Sequence, residues 1–127
     1  MRQNRYVRPA ALLLYMLLIF AASSLQQNQF PNPKIFHYDK LIHLTEYTLF
    51  GLVASWAFLR EADRRLTRRA WLVIGFGWLY GISDELHQYF VPSRQMDVFD
   101  FTADAIGVFI GVVIFIWLLR RRNLSEG

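Results

Sequence analysis

Residues 101–119 read Phe-Thr-Ala-Asp-Ala-Ile-Gly-Val-Phe-Ile-Gly-Val-Val-Ile-Phe-Ile-Trp-Leu-Leu, and Arg120, Arg121 and Arg122 follow at once. A single acid in an otherwise apolar run, closed by cations, is the pattern of a helix crossing about 30 Å of hydrocarbon, which takes roughly 20 residues. Three similar runs precede it: Pro9 to Leu25, about Leu41 to Leu59, and Ala70 to about Phe90. Backbone in lipid has to satisfy its own hydrogen bonds, so each run reads as a helix. The expectation is an all-α, membrane-embedded bundle of four transmembrane helices, at about 9–25, 41–59, 70–90 and 101–119, forming one domain over 1–127.

Composition narrows the alternatives. Of 127 residues, 54% are hydrophobic, 17% aromatic and only 19% charged. A small soluble domain buries too little surface to hide so much apolar material, and disordered chains are polar and poor in aromatics. Cys is absent, which excludes a disulfide framework and a Cys-based zinc site. The linkers are short, and Asn28, Pro31, Asn32 and Pro33 read as turns. His37 reads as an ordinary loop residue.

The basic residues give the orientation. Arg2, Arg5 and Arg8 precede the first run, Arg60, Arg64, Arg65, Arg68 and Arg69 separate the second from the third, and Arg120, Arg121 and Arg122 follow the fourth. With four spans these all fall on one side, leaving Lys34, Lys40 and Arg94 on the other. The positive-inside rule then puts both termini in the cytoplasm and makes the chain a multi-pass protein of the cell membrane. The arginine-rich linker reads as a topology signal rather than a nucleic-acid site. The basic start, the apolar run and Ala22-Ser23-Ser24 also fit a cleavable signal peptide. That run is long for a signal, and its removal would break the charge symmetry.

Polar residues inside the runs fall at one level. The arginine at the end of each run serves as the depth marker: Arg8 for Ser23, Arg60 for Glu46, Arg69 for Asp84 and Arg120 for Asp104. At the helical rise of about 1.5 Å per residue, these four groups lie at depths of about 21–24 Å. His43, His87 and Asp100 sit slightly higher. On the fourth run Asp100, Asp104, Gly107 and Gly111 form one helical stripe, and on the third Gly77, Gly81, Asp84 and Gln88 repeat the spacing. Small-xxx-small stripes let helices approach closely, so the third and fourth are expected to pack on each other and draw their acids together. Charges at such depth are costly unless paired or hydrated, which makes the layer a candidate site in an outward-facing polar pocket.

The motifs Asp39-Lys40-xx-His43-xxx-Tyr47, Asp84-Glu85-xx-Gln88-xx-Val91-Pro92-Ser93-Arg94 and Asp97-xx-Asp100-xxx-Asp104-xx-Gly107-xxx-Gly111 resemble those of the VanZ-like family of small bacterial membrane proteins. The resemblance covers about residues 23–111. The family often has Gly where this chain has Ser93, and Asn where it has Asp104. It is named for a member linked to resistance to teicoplanin, a lipid-tailed glycopeptide antibiotic. The resemblance implies a multi-span bundle and marks Lys40, His43, Tyr47, Asp84, Glu85, Gln88, Arg94, Asp97, Asp100, Asp104 and Gly107; of these, Lys40, His43, Tyr47, Gln88, Arg94, Asp97 and Asp100 are the candidate substrate-binding positions.

Two chemistries suit these residues. In the first, the pocket binds or modifies a membrane lipid, a lipid-linked envelope precursor or a lipoglycopeptide; Arg94 and Lys40 take a phosphate or carboxylate, and the acids take amines or sugar hydroxyls. In the second, the chain is an intramembrane hydrolase or transferase acting on a lipid-linked substrate. His43, Glu46, Asp84, Glu85 and Asp104 are then the catalytic candidates, and His43, Glu46, Glu85, His87, Asp100 and Asp104 the candidate ligands of a divalent metal. Ion movement through the layer is a third possibility, disfavoured by the apolar cytoplasmic half.

Overall fold

The computed structural model describes residues 5–26, 38–60 and 64–126, with side chains described as far as 122. The turn residues Asn28, Pro31, Asn32 and Pro33, and also Lys34, His37, Glu61 and Asp63, lie outside them. The described residues form four helices and no strand: α1 (Val7–Ser23), α2 (Asp39–Phe58), α3 (Leu66–Tyr89) and α4 (Val98–Glu126).

Each helix is bounded by local chemistry. Pro9 falls in the first turn of α1, where a missing N–H costs no helical bond. The chain leaves α2 through Leu59 in an extended conformation (ψ 142°). The Arg60 guanidinium donates to the carbonyls of Trp56 (3.2 Å), Ala57 (3.3 Å) and Leu59 (3.0 Å). The end of α2 is thus satisfied by a cation, the charge its dipole favours there. Pro92 stands shortly after the last turn of α3, which it cannot extend. Asp97 opens α4, and its Oδ1 accepts the Phe99 N–H at 2.8 Å. That is the usual N-cap contact. Between Pro92 and Arg94, Ser93 takes φ 65°. That left-handed conformation favours glycine, which accounts physically for the Gly that the resembling family often carries at this position.

The closest approach in the bundle is between α2 and α4. A Cβ built on Gly107 would lie 2.6 Å from the Leu44 carbonyl oxygen and 2.9 Å from the Thr48 amide nitrogen. One on Gly51 would lie 2.5 Å from the Val108 carbonyl oxygen, and one on Gly111 would meet the same stretch of α2. This corrects the expectation that the glycine stripe of the fourth helix packs against the third. The stripe of α3 is looser: Gly77 faces the Val108 and Phe50 side chains, and Gly81 faces Asp104 and Tyr47. The reason lies in α2, where Gly51, Ala54 and Ser55 keep its own surface low enough for backbone-to-backbone contact.

Below the acids the centre is apolar. Phe50 and Tyr80 stack with centroids 5.4 Å apart at 7°, Tyr47 lies 5.8 Å from Phe50, and Val108 and Val112 of α4 close the layer. Helix α1 is tied on by hydroxyls: Tyr15 donates to the Glu46 carbonyl at 2.8 Å, and Tyr80 donates to the Met16 carbonyl at 2.6 Å.

Burial is inverted relative to a water-soluble domain. His43, Asp84, Glu85, Gln88, Asp100 and Asp104 are buried, while Leu13, Leu17, Trp71, Leu72, Leu79 and Phe109 are exposed. Among the described residues, two helical segments are long and apolar enough to cross a membrane: Asp39–Phe58 and Val98–Arg122, with mean hydropathy 1.2 and 2.3. The shorter α1 is apolar over its 17 residues, and in α3 the uncharged part is confined to residues 70–83.

Candidate functional site

The polar residues meet at the end of the bundle where α2 and α4 begin and α3 finishes. His43 is held one turn into α2, with Nδ1 in hydrogen-bond contact at 2.8 Å from Asp104 Oδ1. The same Nδ1 lies 3.8 Å from Glu85 Oε1, and Nε2 lies 3.9 Å from Asp39 Oδ1. Asp84 accepts the Ser23 hydroxyl on Oδ1, and Gln88 Nε2 donates to its Oδ2 at 3.4 Å. Glu85 Oε2 accepts the backbone N–H of Asp97 at 3.0 Å, which fixes the loop from α3 to α4. Four helices therefore contribute to one cluster: Ser23, His43, Asp84 with Glu85, and Asp104.

Among the described residues, two trios offer one ligand atom per residue with all atoms within 4.8 Å of one another: Asp39, His43 and Asp100, and His43, Asp84 and Asp104. His43 belongs to both. Glu46, Glu85 and His87 stand in neither. Glu46 is half-buried, and its backbone carbonyl accepts the Tyr15 hydroxyl. His87 turns toward α1, where Nε2 lies 2.9 Å from the Ser24 hydroxyl and the ring sits 4.5 Å from that of Phe20. Among the described residues Tyr47 Oη, Glu85 Oε1 and Asp104 Oδ2 are buried without a hydrogen-bond partner, as is Ser55 Oγ lower in the bundle. A buried polar atom left unpaired costs roughly 1–3 kcal/mol, so the gathering of the first three in one region demands an explanation.

Above the cluster lies a cavity of about 410 Å³, lined by Asp39, Gln88, Arg94, Asp97 and Asp100 with neighbouring loop residues. Arg94 donates to Gln88 Oε1 at 3.0 Å, which links the rim through Gln88 to Asp84 below. Lys40 lies 2.9 Å from both Asp97 Oδ2 and Asp100 Oδ1 and so clamps α2 to the start of α4. The Lys40 ammonium and the Phe99 N–H hold the Asp97 carboxyl below the usual carboxylate range. A second, apolar cavity of about 210 Å³ starts from the same Met96 and Asp97. It runs between α3 and α4 over Ile82, Leu86, Val98 and Phe101, with Glu85 at its edge.

Sequence reasoning put Asp39 in a motif but gave it no role, and treated Ser23 only as part of the polar level. The spacing Asp39-xxx-His43 is one helical turn, the signal that could have joined Asp39 to the cluster.

A family model described as VanZ/LLP1 matches residues 3–120. A protein with four helices, an apolar exterior and a polar cluster at one end of the bundle is thus placed among known sequences: the chain belongs to the VanZ/LLP1 family. It is also similar to an uncharacterized protein, C11E3.10, of the fission yeast Schizosaccharomyces pombe, with 34% identity over 85 residues. That stretch is 66% of this chain and 50% of the relative, so the chain spans about half the length of the curated relative it matches. No solved structure matches.

Proposed function

We propose that the chain is a four-span protein of the cell membrane with both termini in the cytoplasm, and that its polar cavity holds the headgroup of a membrane lipid or lipid-linked envelope molecule. The observation that carries this reading is the pairing of cavities. A charged chamber of about 410 Å³ and an apolar groove of about 210 Å³ share Met96 and Asp97, as a ligand with a polar head and a hydrocarbon tail requires. Arg94, which lines the chamber and donates to Gln88, is the cation for a phosphate or carboxylate. Asp39 and Asp100 suit an amine or sugar hydroxyls. The inverted burial supports the bilayer setting, and the arginine distribution supports the orientation. A relative in a fission yeast favours a headgroup that fungal membranes share over one peculiar to a bacterial wall. Hydrolysis or transfer on the same ligand is a second reading, favoured by His43 lying between carboxylates beneath the chamber.

Native mass spectrometry of the detergent-purified chain tests the binding. Wild type is expected to retain a lipid that Arg94→Ala loses, whereas Arg64→Ala keeps it. Equal retention by the two variants, or no retained lipid in wild type, overturns the reading. Chemical identity of that lipid before and after incubation separates binding from turnover. For topology, Gln95→Cys is expected to react with an impermeant thiol reagent in intact cells and Thr67→Cys to stay unlabelled; the reverse pattern refutes the orientation.

A further inference from the structure

The unpaired oxygens and the His43 trio point to the same place. We infer that His43, Asp84 and Asp104 form a binding site for a divalent transition-metal ion beneath the headgroup chamber. The inference deepens the headgroup reading and rests on it only for what lies above the ion.

Geometry comes first. The three residues come from α2, α3 and α4, and they are 3%, 4% and 1% exposed. Their ligand atoms all lie within 4.8 Å of one another. Donors around a zinc-sized ion, with bonds of about 2.0–2.2 Å, stand roughly 3–4 Å apart. Side-chain movement of less than about an ångström therefore closes the set around an ion.

The second observation is independent of the cluster's own hydrogen bonds. Asp104 Oδ2 and Tyr47 Oη are fully buried and unpartnered, on residues 1% and 0% exposed. Glu85 Oε1, 3.8 Å from His43 Nδ1, is unpartnered as well. Charge gives the same answer. Asp84, Glu85 and Asp104 bring three carboxyl groups to one imidazole, and buried charge without compensation is costly. A divalent ion balances them while His43 serves as a neutral ligand.

The surroundings do what metal sites need. Ser23 and Gln88 orient the Asp84 carboxylate, and the Asp97 N–H orients Glu85, as outer partners do for the ligands of known metal centres. The other trio, Asp39, His43 and Asp100, borders the chamber and gives a cation an acidic way in. One imidazole with carboxylates and no thiolate selects zinc, manganese or ferrous iron over cuprous copper. It differs from the set expected from sequence in bringing in Asp84 and leaving Glu46, Glu85, His87 and Asp100 out of the three ligands.

The test uses the full chain in detergent, stripped with a chelator and supplied separately with Zn²⁺, Mn²⁺ or Co²⁺. About one ion per chain is expected after dialysis, with a rise in Tm of about 5–10 °C at a hundredfold excess over Kd and visible d–d bands for Co²⁺. His43→Gln and Asp104→Asn are expected to lose both the ion and the shift, while Glu46→Gln and His87→Gln keep them. Circular dichroism of each stripped variant separates lost binding from lost folding. If Asp104→Asn does not fold, Asp84→Asn and the Co²⁺ spectrum of wild type decide. Failure of wild type to hold any of the three ions, or equal loss in the Glu46 and His87 variants, overturns the site. The assay contains no added lipid, so a chain that binds metal but retains no lipid refutes the headgroup reading and leaves this one standing.

Discussion

Replacing Gly107 by alanine adds one methyl group where the α2 and α4 backbones touch. Its carbon would lie 2.6 Å from the Leu44 carbonyl oxygen and 2.9 Å from the Thr48 nitrogen, both backbone atoms that no rotamer change can move. Restoring about 3.0–3.4 Å means that α4 withdraws by about 0.4–0.8 Å, an overpacking worth roughly 1–3 kcal/mol. The same withdrawal stretches the 2.8 Å contact from His43 to Asp104 toward the limit of hydrogen bonding, at a further cost of about 1 kcal/mol. Alanine's higher helix propensity returns about 1 kcal/mol, so the net loss is about 1–3 kcal/mol. Gly75 is the control, because a Cβ there meets nothing within 4 Å. Gly75→Ala is expected to be neutral or stabilising by up to about 1 kcal/mol. Unfolding in mixed detergent micelles, followed by circular dichroism, reads both variants. Equal stability of Gly107→Ala and wild type, or an equal loss in Gly75→Ala, would refute the account of which helices touch.

Asp104→Asn is expected to lower Tm because it strands His43, whereas Glu85→Gln keeps or raises it, since Gln still accepts the Asp97 N–H and removes a buried charge; melting curves showing the opposite order would reverse these roles. At Ser93, glycine is expected to match or exceed wild-type stability while valine costs about 1–2 kcal/mol, and equal melting of the two variants would place no constraint on φ there. Asp97 is held below its ordinary value of about 4, so the stability it contributes is fully present above that value and disappears as pH falls through the folded one. The stability gap between wild type and Asp97→Asn is therefore expected to be constant from neutral to mildly acidic pH and to close in stronger acid; a gap independent of pH would exclude the Lys40 pairing as its source.

The number of helices was legible because charge clusters separate the apolar runs. Their ends were less so. Hydropathy marks where side chains change solvent, not where backbone hydrogen bonding stops, so α4 continues past Leu119 to Glu126 and α3 starts at Leu66, among polar residues. The glycine stripes announced contact faces, but a spacing describes one helix and says nothing of which neighbour fills it. Gly51, with Ala54 and Ser55 one turn on, was the signal for α2. In the site, residue type and depth brought out His43, Asp84 and Asp104, because acids and imidazole stand out in an apolar run. Individual oxygens were beyond reach. Glu46 follows His43 within one turn and shares a side of α2, yet it stands in neither trio of ligand atoms. Lys40 has a stem long enough to reach α4, so its two ion pairs depended on a neighbour that spacing along α2 could not identify.

The crossing of α2 on α4 also sets an order of events during synthesis. The two helices in closest contact are not neighbours in the chain, since all of α3 emerges between them. Until α4 arrives, the Gly51 groove of α2 has nothing to seat against, and His43 lacks Asp104. Asp84 and Glu85 meanwhile have His43, the Ser23 hydroxyl and Gln88 of their own helix for company. A nascent chain halted after α3 therefore has its acids and its small-residue face side by side, without the helix that covers both.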